Sequence, residues 1–176
     1  NFRAPRTAME RAAPLKIVYY VSGNGFGHAT RVVEVTRHLI DAGHTVFIVS
    51  VAPDSIWTAE IDCPQRLHFR NVLLDCGPVQ SDALTVDRMQ SLLAYEKLYE
   101  RQHEIVEAES RFLLDVKADI VVVDIAPLAC TAARRVGVRC IVCTNFTWDH
   151  IYAEYVESQG ARFRVLCEEI ANDYAS

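Results

Sequence analysis

KIVYYVSGNGFGHATR, residues 16–31, decides the fold. Ile17–Val21 is a β-branched and aromatic run without polar alternation, the pattern of a strand buried on both faces. Gly23, Gly25 and Gly27 follow it. Ala29–Ala42 then sets Val32, Val33, Thr36, Leu39 and Ile40 along one side at helical spacing, and Gly43 supplies a C-terminal stop. Strand, glycine-rich turn and helix in that order open a βαβ unit.

The alternation continues outward from this stretch. Thr45–Val51 is a second buried strand, and Asp54 or Ser55 is placed to cap a short helix reaching about Ile61. Leu67, Phe69 and Val72–Leu74 form a third strand. A polar loop, Asp75–Ala83, precedes one long helical stretch from about Thr85 to Val116, with Asp82 or Thr85 as its cap. Ile120–Val123 is a fourth strand ended by Asp124. Pro127–Val136 is a helix with proline in its first turn. Cys140–Cys143 lies in a fifth strand, and two helices, about Asp149–Glu157 and Arg162–Tyr174, follow. The expected fold is α/β: a Rossmann-like, mostly parallel sheet with helices on both faces. Ligands in such sheets sit beyond the carboxyl ends of the strands. That rule gathers the glycine loop, Asp124 and the Asn145–Asp149 segment on one rim.

Composition narrows the function. The 176 residues are 51% hydrophobic and 23% charged, enough apolar material for a core, and suit one domain over residues 15–176. A net charge of −5 lacks the basic footprint of a nucleic-acid or anionic-membrane binder, so no nucleic-acid partner is expected. The apolar runs are of strand length, far below the ~20 residues of a membrane helix. Residues 1–14 carry three arginines, two prolines and no apolar stretch, and read as a disordered tail rather than a secretory signal. The six cysteines read as reduced, packed thiols of a cytoplasmic protein. Cys140 and Cys143 form C-x-x-C, but inside a strand and without a second pair, so no metal is expected.

The loop itself invites comparison with a dinucleotide site, because a helix start favours an anion. Its spacing is G-x-G-x-G rather than G-x-G-x-x-G, and no acid closes the second strand, where Val49-Ser50-Val51 stands. A Gly-Lys-Ser/Thr phosphate loop is absent. His28 gives the sharper signal. At a helix start on the ligand rim, an imidazole can take a proton from a bound hydroxyl, and a carboxylate on its other nitrogen improves it as a base. Asp124, on the same rim, is the candidate partner. The plainer alternatives are capping or packing for His28 and capping of the Pro127 helix for Asp124.

With GNGFGHATR so placed, the chain resembles the amino-terminal domain of GT-B glycosyltransferases. The loop is similar to that of the peptidoglycan N-acetylglucosaminyltransferase type, and plant nucleotide-sugar glucosyltransferases are similar in pairing a loop histidine with a strand-end aspartate. YYVSGNGFGHATRVVEVTRHLIDAGH, LLDCGPVQSDALTVDR and TNFTWDHIYAEYV carry a finer resemblance to the plant L-arabinokinase family. That resemblance implies a glycosyltransferase-like front half joined to a sugar kinase that phosphorylates L-arabinose at its anomeric hydroxyl, using ATP and Mg. It places the kinase half and the second GT-B lobe, which grips a nucleotide-sugar, outside these residues. The present residues would be the acceptor-side lobe: His28 the base, Asp124 its partner, Gly25 and Gly27 in the loop. Asn145, Trp148 and Asp149 would line the acceptor cleft for a small-molecule sugar, and Asp82, on the polar loop, would overhang it. On its own this region is expected to need no cofactor, to lack kinase activity, and to transfer sugar weakly or not at all. The other readings are the acceptor-side lobe of a genuine nucleotide-sugar glycosyltransferase and a non-catalytic sugar-binding or regulatory module.

Overall fold

The computed structural model describes residues 13–24, 26–82, 84–159 and 161–175. Five strands form one sheet: β1 (Lys16–Tyr20), β2 (Thr45–Val49), β3 (Leu67–Arg70), β4 (Ile120–Val123) and β5 (Arg139–Val142). Their order is β3-β2-β1-β4-β5, and every pairing is parallel. β1 sits at the centre, which is why KIVYY carries no polar alternation. Val18 and Tyr20 face one core, Tyr19 and Val21 the other.

The helices cover both faces. α1 (Phe26–Asp41) and α2 (Ser55–Thr58) close one core, where Val32, Val33, Ile40 and Trp57 meet Tyr19, Val46 and Ile48. α3 (Arg88–Tyr99), α4 (Gln102–Val116), α5 (Pro127–Arg135), α6 (Trp148–Gln159) and α7 (Arg164–Tyr174) close the other over Val18, Tyr20, Val121 and Val123. α1 stops where its apolar stripe ends. Gly43 takes φ +99°, and the amides of Gly43 and His44 donate to the carbonyls of Ile40 and Leu39. β3 and β5 are the sheet's edges, and on β5 Ile141 and Val142 remain 45% and 40% exposed.

Several expectations shift. α1 begins at Phe26, three residues before Ala29, so His28 lies inside its first turn. The third strand ends at Arg70, whose carbonyl takes the last ladder bond from the Ser50 amide. Val72–Leu74 is not strand. There the chain leaves the sheet edge and turns inward, burying Leu74 and Asp75. The long helix is two helices, broken at Glu100–Arg101, and Asp87 caps the first of them by accepting from the Gln90 amide. Asp82 is no helix cap, because its carboxylate accepts from the amides of Leu84 and Thr85 in a local turn. Asp54 occupies the position before α2 but makes no capping bond. A short 3-10 turn, Ala161–Phe163, precedes α7. The tail expected over residues 1–14 lies, up to residue 12, outside the described residues. Among the described residues no helix is long and apolar enough to cross a membrane.

Candidate active site

Four loops converge at the carboxyl rim of the sheet. The loop after β1 delivers Ser22 and Asn24 and runs into α1, whose third residue is His28 and whose next turn carries Arg31. Asp124 follows β4 directly and is fully buried, its amide bonded to the Tyr20 carbonyl so that the carboxylate is anchored between the two central strands. Nδ1 of His28 stands 2.6 Å from Oδ2 of Asp124. The ring N–H lies off the line to the oxygen, and the contact becomes a close charge pair when the imidazole is protonated. The other carboxylate oxygen takes the guanidinium of Arg31, which also donates to the Cys143 carbonyl at the end of β5 at 3.5 Å. One buried carboxylate therefore serves two basic groups from successive turns of α1.

His28 rests edge-on against Phe146 at 5.8 Å, its side chain is 18% exposed, and its Nε2 has no protein partner among the described residues. The Asp124 carboxylate raises the pKa of His28 above the usual 6.5. Burial and the Arg31 charge oppose that rise, and Asp75 adds to it. The imidazolium is thus favoured, as suits a group that accepts a proton and holds the resulting charge beside a carboxylate.

A second buried carboxylate, Asp75, comes from the loop after β3. Its Oδ2 accepts from the indole N–H of Trp148 at 3.2 Å, and its Oδ1 accepts from the Asn24 amide at 3.4 Å. Burial raises its pKa, while bonds from Ser22 and Trp148 pull it down. Asp75 ties together the loops after β1, β3 and β5. The residues that follow it reinforce these ties, since the Tyr152 hydroxyl donates to the Cys76 carbonyl at 2.7 Å. Gly77 is required by the same closeness. A Cβ there would lie 2.4 Å from Cγ and 2.6 Å from Cβ of Asn24. Gly77→Ala is expected to push the two loops apart at a cost of about 2 kcal/mol, read as a fall in melting temperature of roughly 4–8 °C for a domain of this size. An unchanged melting curve would mean the loops do not meet.

The residues named from sequence divide. His28 and Asp124 are brought together, with Gly27 beside His28 in the first turn of α1. Gly27 has no positive φ, and a Cβ there would meet nothing, so its surface is open. Gly25 lies outside the described residues. Asn145 is exposed at the end of β5. Trp148 and Asp149 open α6. Trp148 is 2% exposed, within the ring cluster of Tyr95, Phe146 and Tyr152, and Oδ1 of Asp149 is buried without a bond among the described residues. Asp82 sits exposed in its turn, bonded to the amides of Leu84 and Thr85. Sequence reasoning misses Arg31 and takes Asp75 only as part of a polar loop. The i, i+3 spacing of His28 and Arg31 is the available signal for the first. Cys140 falls in β5 and Cys143 just after it. All six cysteines are free, and no metal-binding set of His, Cys, Asp or Glu forms among the described residues.

The model of a family described as "Glycosyl transferase family 1" matches residues 15–159. An L-arabinokinase of Arabidopsis thaliana is 55% identical over 162 residues, 92% of this chain and 16% of that protein. Among solved structures, Arabidopsis thaliana UGT89C1 complexed with quercetin superposes with a TM-score of 0.55 at 13% identity, over 92% of this chain and 41% of that one. CalG4, the calicheamicin glycosyltransferase, gives 0.54 at 16% identity, over 92% and 43%. At those identities the structural likeness is one of fold. The chain spans about a sixth of the curated relative's length.

Proposed function

Because the chain belongs to glycosyl transferase family 1, we propose that it is the acceptor-side lobe of a glycosyltransferase-like region in an L-arabinokinase-like protein. Its five-stranded parallel sheet corresponds to half of a GT-B fold. The observation that carries the reading is the His28–Asp124 contact of 2.6 Å on the ligand rim. In this scheme Nε2 of His28 takes the proton of an acceptor sugar hydroxyl as its oxygen attacks the anomeric carbon of a donor sugar. The bond from that carbon to the donor's leaving phosphate breaks, and Asp124 holds the imidazolium that forms. The donor, a nucleotide-sugar, would be gripped by a second lobe. The whole protein would phosphorylate L-arabinose to L-arabinose 1-phosphate with ATP and Mg in a separate kinase part. A cytoplasmic setting is supported by six unpaired cysteines.

The test is His28→Ala in the full-length protein, assayed for sugar transfer and for arabinose phosphorylation. Transfer is expected to fall by about 10²–10⁴-fold with phosphorylation untouched. The pH profile carries a second signature. Only neutral His28 acts as a base, so the rate is expected to climb as pH rises through a value above 6.5. For stability the sign is opposite. The pair's contribution is complete below 6.5 and is lost as pH rises through the raised value. A transfer activity indifferent to His28 sinks the base assignment. A second reading, a sugar-binding module without turnover, is favoured by Arg31, whose hold on Asp124 weakens the carboxylate's pull on the imidazole. Unchanged phosphorylation and sugar binding in His28→Ala, with no transfer in either protein, would select it.

A further inference from the structure

The C-x-x-C spacing of Cys140 and Cys143 finds no use in the rim chemistry, and the two side chains do not face each other. β5 and the residue after it stay extended, since the Cys143 amide still donates to the Val123 carbonyl at 2.8 Å. Three residues along such a strand put the side chains on opposite faces, roughly 10 Å apart along it. Cys140 packs against the core under α5. Cys143 stands on the other side, where, after burial, its thiol does most to raise the pKa of the Tyr19 hydroxyl in the second core.

Cys140 has a different neighbour. α5 ends at Arg135, Gly137 takes φ +71°, and the amides of Gly137 and Val138 donate to the carbonyls of Arg134 and Ala133 at 3.1 and 3.0 Å. β5 leaves this capped corner at once, from Arg139. Five residues back along α5 from its end, about 7–8 Å, stands Cys130. Three residues forward from Gly137, about 10 Å along the extended chain, stands Cys140. The corner thus brings both to similar heights on facing surfaces, and their thiols hydrogen-bond, Cys130 donating to Cys140. Cys130 is fully buried, whereas Cys140 is half-buried on an edge strand.

This asymmetry gives the two sulfurs different roles. The bond from Cys130 lowers the pKa of Cys140 against the opposing effect of burial, and the same bond, with burial, raises that of Cys130. The thiolate is the reactive form in thiol oxidation, so Cys140 is both the more nucleophilic and the more accessible of the pair. We propose that Cys130 and Cys140 form a reversible disulfide on oxidation by hydrogen peroxide, fastening the edge strand β5 to α5. The Cys140 sulfur attacks one peroxide oxygen, the O–O bond breaks, and the departing hydroxide takes the thiol proton and leaves as water. Cys140 is then a sulfenic acid. The Cys130 sulfur attacks the Cys140 sulfur, the S–O bond breaks, and the hydroxide takes the Cys130 proton as a second water. Two thiols lose two electrons, and one peroxide becomes two waters. Disulfides that form in a reducing compartment are of this transient, redox-sensing kind. The strand so fastened is the one whose extension offers the Cys143 carbonyl to Arg31.

The test is a peptide map of the full-length protein, treated with hydrogen peroxide, alkylated at its remaining thiols and digested with trypsin. Cleavage after Lys117, Arg134, Arg139 and Arg162 leaves Cys130 on the peptide 118–134, and Cys140 with Cys143 on the peptide 140–162. The two peptides are expected to be joined, with Cys143 alkylated, and to separate after dithiothreitol. The joined species should be lost in Cys140→Ser and kept in Cys143→Ser. Amide hydrogen exchange over residues 139–142 should slow by about tenfold or more in the bridged protein, a modest part of what closing a loop of this length supplies. The wild-type map places the bond by itself, so a variant that fails to fold does not obscure it. The proposal is overturned if Cys140 joins Cys143, or if Cys130 remains fully alkylated after peroxide. It is equally overturned if the joined peptides survive Cys140→Ser or vanish in Cys143→Ser, or if exchange in β5 is no slower once the bridge has formed.

Discussion

Trp148→Ala is expected to destabilise the domain by about 5 kcal/mol, a large share of the 5–15 kcal/mol available to a typical fold. Removing a buried Trp side chain costs about 3–5 kcal/mol through lost burial and the cavity left behind. Here the ring stacks on Tyr152 at 5.5 Å and meets Phe146 edge-on, so the cavity would open in the middle of an aromatic cluster. The rest comes from Asp75, a buried carboxylate stripped of its indole donor, at about 1–3 kcal/mol. Thermal unfolding followed by circular dichroism should show a fall of roughly 10–20 °C. Trp148→Phe isolates the second contribution, keeping an aromatic ring and deleting the donor. Its penalty should depend on pH. Asp75 has a folded pKa raised above 3.8, so the folded state favours the protonated acid, and the group's contribution is greatest at low pH and is lost as pH rises through the raised value. The Trp148→Phe penalty should therefore shrink on acidification. Equal penalties at neutral and acidic pH would remove Asp75 from the account.

Asp124→Ala is the second large effect. Removing one partner of a buried ion pair typically costs about 3–5 kcal/mol, because the other charge is left without compensation. Arg31 is 31% exposed and His28 18%, so water recovers part of that loss, and about 2–3 kcal/mol is expected. Arg31→Ala and Asp124→Ala combined should destabilise by less than the sum of the two, since they share one contact. Asp124→Asn separates charge from shape. It removes the main influence raising the His28 pKa, so the imidazole titration read by NMR should move down, and any transfer profile should move with it. Arg31→Gln should move both upward. Additive double-mutant energies, or an imidazole indifferent to Asp124, would dissolve the pair.

The fold was legible because its signal is periodic. Five apolar runs of strand length alternate with stripes at helical spacing, and KIVYY, apolar on both faces, marks a central parallel strand before any contact is seen. The misreadings have physical reasons. Val72–Leu74 looks like strand because Leu74 is core, but it reaches the core from an inward-turning loop at a sheet edge. The break between α3 and α4 leaves no trace, since Leu92, Tyr95, Tyr99, Val106, Glu109 and Leu113 keep a continuous heptad spacing through it and neither Gly nor Pro stands at Glu100–Arg101. The site was half legible. A histidine in a glycine loop and an aspartate ending a strand announce themselves by position. Arg31 and Asp75 do not, because what makes them matter is a partner 93 residues away for the one, and donors 51 and 73 residues away for the other.

The central place of β1 has a consequence for how the chain acquires its structure. Its two neighbours are β2, some 29 residues on, and β4, some 103 residues on. A chain must close the longer of these loops, and bear its entropy, before the pairing rewards it, so parallel sheets of this kind assemble slowly. During synthesis the first strand emerges early and its inner partner late. At about 5–20 residues per second, Val18 and the two tyrosines of β1 stay half-paired for several seconds, until residues near Asp124 leave the ribosome. The carboxylate that holds His28 and Arg31 thus arrives 93 residues after Arg31. The His28–Asp124 contact forms only after β4 has reached its oldest neighbour, β1.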